Sequence, residues 1–199
     1  MFIAVEGIDG SGKSTLAREL AARLIDELGA DRVVLTREPT ELSPWGRRLR
    51  KSEREGRLPR DEEIAHFHKD RLFHLDEIIK PALALGKIVI TDRYVDSTLA
   101  YQAHDLADAE ALYRAMAPEL IEPDLVLLLE IPIATALMRI SEARAENTSF
   151  EREETLRRAA EIYASRRGTR YRRRDGGQAP QVVLEAALSA VQERLQAHN

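Results

Sequence analysis

The chain has 199 residues, no cysteine, 44% hydrophobic and 32% charged residues, and a formal net charge of −4. That length and balance suit one globular domain with a sizeable core, and the absent thiols exclude disulfides, thiolate metal sites and a cysteine nucleophile. Mild acidity argues against a general nucleic-acid coat, and no apolar run nears the ~20 residues that a membrane helix needs. With a core strand at the start and no basic leader before it, the expectation is a reduced, cytoplasmic protein with neither nucleic acid nor membrane as partner.

Phe2-Ile3-Ala4-Val5 reads as a short strand buried on both faces. It runs into Gly7-x-x-x-x-Gly12-Lys13-Ser14, the pattern of a phosphate-binding loop. Glycines let successive backbone N–H groups converge on one anion, and the helix that follows adds its N-terminal dipole. Lys13 is the point charge for the outer phosphates, and the Ser14 hydroxyl is a candidate ligand of Mg²⁺. Gly7, Ile8, Asp9, Gly10, Ser11, Gly12, Lys13, Ser14 and Thr15 are therefore read as the seat of a nucleoside triphosphate.

Leu16, Leu20, Leu24 and Leu28 form the apolar stripe of an amphipathic helix that Gly29 ends. Val33 to Thr36 is the second strand, with Arg37-Glu38-Pro39 at its C-terminal end, and a short helix is expected over Trp45 to Lys51. A long helix from Glu62 to Leu85 follows, kinked or restarted at Pro81 and closed by Gly86. Ile88 to Asp92 is the third strand, followed by Arg93-Tyr94 and by helices at Ser97–Gln102 and Asp108–Ala117. Leu125 to Leu129 is the fourth strand, and Pro132 opens a helix over Ile133–Ala143. Arg144 to Ser149 is a polar gap before a helix over Glu151–Arg166. Val182 to Leu184 is read as the fifth strand and Ala186–Gln196 as the closing helix. Six arginines crowd the interval from Arg166 to Arg174, which reads as a solvated loop. Short apolar strands separated by helices predict an α/β fold, a five-stranded parallel sheet with helices on both faces in three layers.

Four segments, in order and sensibly spaced, resemble the thymidylate kinases of the nucleoside monophosphate kinase superfamily. They are Glu6 to Thr15, Thr36-Arg37-Glu38-Pro39, Phe67-x-x-Asp70-Arg71, and Asp92-Arg93-Tyr94-x-x-Ser97-x-x-Ala100-Tyr101-Gln102. Residues 6 to 102 carry the resemblance; beyond them it rests on element order. The resemblance implies transfer of the γ-phosphate of ATP to dTMP, with Mg²⁺ on Ser14 and Asp92. Arg37 and Arg93, with Arg50 as a further candidate, would hold the acceptor phosphate beside the donor. Phe67 would stack on thymine and Arg71 donate to a base carbonyl, although periodicity alone makes Phe67 a core residue. Thr98 would lie near a ring nitrogen, Tyr101 against the sugar, Asp9 near its 3′-hydroxyl, and Ser97 close by.

The resemblance further implies a mobile lid, here about residues 139–152, in a single domain spanning the chain, and a homodimer formed beside the base pocket, for which Leu72, Leu75 and Ile79 offer an apolar face. Position 10 is glycine, not the arginine of one family subgroup, so a lid arginine is implied as the compensating cation, Arg144 first and Arg139 second. Lys13, Arg93, Asp9 and Arg144 thus make up the expected catalytic set. After the expected fifth strand, Leu184-Glu185-Ala186 stands where the family has Ile-Asp-Ala, so no adenine contact follows. None of the five histidines has ligand-like neighbours in sequence, and no metal cluster is expected. The rival readings are a kinase for another nucleotide or small metabolite, and a GTPase-like switch or binding module. The chain has no Asn-Lys-x-Asp guanine-reading motif.

Overall fold

A computed structural model describes residues 1–144 and 150–197. Five parallel strands form one sheet in the order β2-β3-β1-β4-β5: β1 Phe2–Gly7, β2 Val33–Arg37, β3 Ile88–Asp92, β4 Leu125–Glu130 and β5 Tyr171–Asp175. Side chains alternate along a strand, so each central strand feeds two cores. From β1, Phe2 and Ala4 join a cluster with Val89, Leu99, Leu128 and Tyr163. Ile3 and Val5 join the opposite one, with Leu20, Ile90, Leu127 and Leu188.

The second cluster lies under α1 (Lys13–Leu28) and α9 (Pro180–Gln196). The first is covered by α5 (Val95–Gln102), α6 (Leu106–Met116), α7 (Ile133–Arg144) and α8 (Phe150–Ser165). Between β2 and β3 run α2 (Pro44–Glu55), α3 (Arg60–His74), a π-helical turn at Leu75–Ile79, and α4 (Lys80–Ala84). The layers are those expected of an α/β three-layer fold.

Register sets the site. Val5 pairs with Asp92, Asp92 pairs with Arg37, and Gly7 pairs with Leu129. All strands run the same way, so the loops after β1, β2, β3 and β4 open at one edge of the sheet, where a ligand crevice is expected.

The C-terminal third departs from expectation. Val182 to Leu184 belongs to α9, and the fifth strand is Tyr171–Asp175, inside the arginine cluster. Arg172, Arg173 and Arg174 lie on that edge strand, whereas Arg166, Arg167 and Arg170 sit in the turn that leads into it, as expected of a loop. Arg173 donates to the carbonyl oxygens of Tyr163, Ala164 and Arg166 at the end of α8, while Arg174 reaches Ala186 O of α9. Alternation along the strand sends their stems to opposite layers. The long helix expected from Glu62 to Leu85 is broken by the π turn, with Pro81 in the first turn of α4. Leu75 and Ile79 are fully buried in the chain's own core, so they offer no external face; Leu72 is half-buried.

Candidate active site

Phosphate chemistry asks for N–H groups and cations around one concavity. The loop after β1 supplies both. Gly12 caps α1 in the left-handed region at φ 93°, which turns the chain into the helix whose first N–H groups are unpaired. Lys13 is buried, and its Nζ lies 3.3 Å from Ile8 O and 3.1 Å from Asp9 Oδ1. Burial depresses the lysine's proton affinity, Arg93 adds to that, and Asp9 and Asp92 oppose it.

Arg93 completes this triangle. Its guanidinium pairs with Asp9 Oδ1, donates to Ser97 Oγ at 3.2 Å and lies over the Tyr101 ring at 5.4 Å. Burial alone would raise the Asp9 carboxyl, but Arg93 and Lys13 outweigh it and hold the acid well below the usual carboxylate range. Tyr101 Oη accepts from Asp9 N at 2.7 Å, which ties the phosphate loop to α5. Arg93 has φ 77°, a conformation that costs a bulky residue about 1–3 kcal/mol and persists only when its surroundings fix it. Here Arg93 N donates to Val5 O at 3.0 Å, Thr91 Oγ1 donates to Arg93 O at 2.8 Å, and Tyr94 N donates to Glu6 Oε1 at 2.7 Å.

Ser14 Oγ donates to Asp92 Oδ2 at 2.5 Å, while Asp92 Oδ1 is buried without a hydrogen-bond partner among the described residues. A hydroxyl beside a carboxylate with a spare oxygen is a donor set of the kind Mg²⁺ takes, alongside water and phosphate oxygens. Among the described residues no group of three or more His, Cys, Asp or Glu is arranged to hold a metal.

The second half of the crevice lies between α3 and α5. Arg71 is 1% exposed; it donates to Glu38 Oε2 at 2.9 Å, to Thr98 Oγ1 at 2.8 Å and to Tyr94 O at 3.2 Å. Phe67, one turn earlier on α3, is partly exposed and belongs to neither core cluster, contrary to the periodicity-based expectation. Arg37 is exposed at the tip of β2. Arg50 donates to Pro39 O at 2.8 Å; burial lowers its proton affinity, and the charges of Arg37 and Arg93 lower it further. The charges of Arg37 and Arg93 are thus felt at Arg50.

Of the two arginines considered for the lid, Arg139 donates to Gly10 O at 3.3 Å and to Gly176 O at 2.9 Å, so it clasps the phosphate loop to the β5–α9 turn. The Arg144 side chain, and residues 145–149 of the expected lid, lie outside the described residues.

Sequence reasoning passed over the residues that hold this set in place. Glu6 is fully buried on the α5 side of β1; it accepts from Tyr94 N, Ser97 N, Ser97 Oγ and Tyr163 Oη at 2.7, 3.2, 2.6 and 2.9 Å. Burial, with Asp96 nearby, pushes its carboxyl up to about 7. Asp70 accepts from Thr40 N and Thr40 Oγ1, both at 2.7 Å, and from Ser43 Oγ, fixing the loop beyond β2. His74 is completely buried between Thr36 and Glu38. The one available signal was position: Glu6 and Asp70 lie inside recognised motifs, and His74 lies three residues beyond one.

A sequence model of the thymidylate kinase family matches residues 5–182. The chain belongs to the thymidylate kinase family. It is 46% identical over 167 residues to a thymidylate kinase of Xanthomonas campestris pv. campestris (strain B100), covering 83% of this chain and 71% of the relative. To that of Xylella fastidiosa (strain 9a5c) it is 40% identical over 197 residues, covering 98% and 92%. Among solved structures, a thymidylate kinase from Ehrlichia chaffeensis superposes with a TM-score of 0.70 at 27% identity, over 96% of this chain and 98% of that one.

Proposed function

We propose a division of labour among these side chains for the family's reaction, transfer of the γ-phosphate of ATP to dTMP to give dTDP. Lys13 and the N–H groups of residues Gly7 to Thr15 grip the donor phosphates. Arg37 and Arg93, helped by Arg50, hold the acceptor phosphate and spread the charge that develops in transfer. Arg71 and Thr98 meet the edge of the base while Phe67 stacks on its face; Tyr101, Ser97 and Asp9 meet the sugar. Mg²⁺ bound by Ser14 and Asp92 would neutralise phosphate charge and orient the donor. Residues 139–152 serve as the lid of a single-domain enzyme, excluding water from the acceptor. Arg144 is its cation, because Arg139 is already engaged by two carbonyls. The same reading takes the enzyme as a cytoplasmic homodimer. Among the described residues no helix is long and apolar enough to cross a membrane.

The observation that carries this reading is the meeting of Lys13, Asp9 and Arg93 at the seam between β1 and β3, with Ser97, on the same helix as Thr98, bonded to Arg93. Both nucleotides then meet in one cationic crevice. The test is ADP release from ATP and Mg²⁺ with dTMP, dUMP, dCMP, UMP, AMP or no acceptor. Fastest turnover with dTMP is expected. Preference for AMP or UMP would sink the base assignment, and turnover without acceptor would favour a switch.

A further inference from the structure

A buried polar relay runs from β2 to the base end of the crevice. Thr36 Oγ1 lies 2.7 Å from His74 Nε2, and His74 Nδ1 lies 3.1 Å from Glu38 Oε1. The other carboxylate oxygen, Oε2, takes Arg71 Nε at 2.9 Å and Arg71 Nη2 at 2.8 Å. Arg71, His74 and Glu38 have side chains only 1%, 0% and 3% exposed. Strand alternation puts Thr36 on the same face as Val34, which packs on the α5-side core, so its hydroxyl meets α3. His74 is the last residue of α3, and the π turn that follows anchors Leu75 and Ile79 in that core. Such turns recur where a helix is re-aimed at a functional site.

Chemistry orients the relay. Burial would raise the Glu38 carboxyl, yet Arg71 and then His74 hold it below the usual range, so it is an acceptor at every contact. The proton facing Glu38 is therefore on Nδ1, and the Thr36 hydroxyl satisfies Nε2. Arg71 Nη1 is left over. It is buried and has no hydrogen-bond partner among the described residues. A buried N–H of a cation kept without an acceptor is costly, unless a ligand supplies one.

We infer that His74 is a positioning residue for base recognition: by pinning Glu38 Oε1 it confines the carboxylate to the Nε–Nη2 edge of Arg71 and keeps Nη1 free for the ligand. Released from His74, the carboxylate can turn to the Nη1–Nη2 edge and consume that donor. The inference rests on Arg71 meeting the base, and adds a residue that never touches it.

Two isosteric substitutions separate the two ring nitrogens. In His74→Asn the amide nitrogen stands near Nδ1 and keeps the Glu38 contact; in His74→Gln it stands near Nε2 and keeps only the Thr36 contact. Steady-state kinetics and melting temperatures are measured for both. His74→Gln is expected to raise KM for dTMP about tenfold, with kcat and KM for ATP changed less than about twofold, while His74→Asn stays within about threefold of the native KM. Equal KM values in the two variants, native-like or raised in step with lost melting temperature, overturn the inference, as does the reverse order. Should neither variant fold, Thr36→Val is the second probe. It is expected to raise KM for dTMP about threefold through a ring left loose, and an unchanged KM overturns the inference. Arg71→Lys separates the two levels. A native KM for dTMP in that variant removes Arg71 from the base site; a raised one beside an unaffected His74→Gln removes only the relay.

Discussion

Asp9 Oδ1 receives both Arg93 and Lys13, the second at 3.1 Å, so one carboxylate holds the cations assigned to the acceptor and to the donor. Arg93 pays for its place with a left-handed backbone, φ 77°, in a position where glycine is the ordinary choice. Arg93→Ala should therefore lower kcat at least ~10²-fold, the scale of losing one transition-state donor, while the protein stays folded. ADP release measured on a variant with a native melting curve checks this. Wild-type turnover would show that the phosphate clamp is misassigned.

Glu6 makes stability depend on pH in the opposite sense to Asp9. Its carboxyl rises from 4.5 to about 7 in the folded chain, so between those values the native state binds a proton more readily than the unfolded state. Its contribution is fully present below 4.5 and is lost as pH rises through 7. Asp9, with its proton affinity depressed, contributes above its ordinary value of 3.8 and loses that contribution as pH falls below it. Denaturant unfolding of wild type and Glu6→Gln at several pH values from 5 to 7.5 isolates Glu6. The stability difference between them should change with pH by on the order of 1 kcal/mol per unit or less, wild type losing ground as pH rises. A pH-independent difference contradicts the shift.

Phe67 separates packing from recognition. It is partly exposed and lies outside both cores, so Phe67→Ala should cost little stability, under about 1 kcal/mol, far below the 3–5 kcal/mol of emptying a buried Phe site. Its effect should fall on KM for dTMP, raised about tenfold by the loss of one stacking face. A native KM with a large drop in melting temperature would return Phe67 to the core.

The first four strands were legible because each opens on an apolar run, and the loop from Gly7 to Thr15 because its pattern carries its own geometry. The fifth strand was not, since Tyr171-Arg172-Arg173-Arg174-Asp175 offers no apolar run. Arg173 and Arg174 are edge residues whose stems lie along opposite layers and whose tips reach carbonyls at the end of α8 and within α9, a tertiary arrangement invisible to local pattern. Val182 to Leu184 misled for the complementary reason: three apolar residues in a row satisfy a helix face as well as a strand, and Pro180 in the first turn of α9 decides for the helix. At the site, motif residues that touch each other, such as Asp9, Arg93 and Ser97, were readable. Glu6, His74 and Asp70 were not assigned roles, because no motif names the buried polar partners that they meet, Tyr163, Thr36 and Ser43 among them.

Gly10 tests how closely the phosphate loop must approach α7. Its φ is 81°, and a Cβ there would stand 2.6 Å from Ala136 O and 3.0 Å from Ala136 Cα, a backbone obstacle that no rotamer relieves. One turn along α7, Arg139 donates to Gly10 O at 3.3 Å, so a shifted loop also loses its clasp to Gly176. Gly56 supplies the control. Its φ is 119°, yet a Cβ there meets nothing within 4 Å, so Gly56→Ala carries backbone strain without collision. Both substitutions should lower stability by about 1–3 kcal/mol. Only Gly10→Ala should also raise KM for ATP, by about tenfold or more, because the N–H groups that cradle the phosphates move with the loop. Unfolding curves and KM for ATP, measured on both variants, decide it: a native KM in Gly10→Ala means the loop binds ATP without its seat on α7.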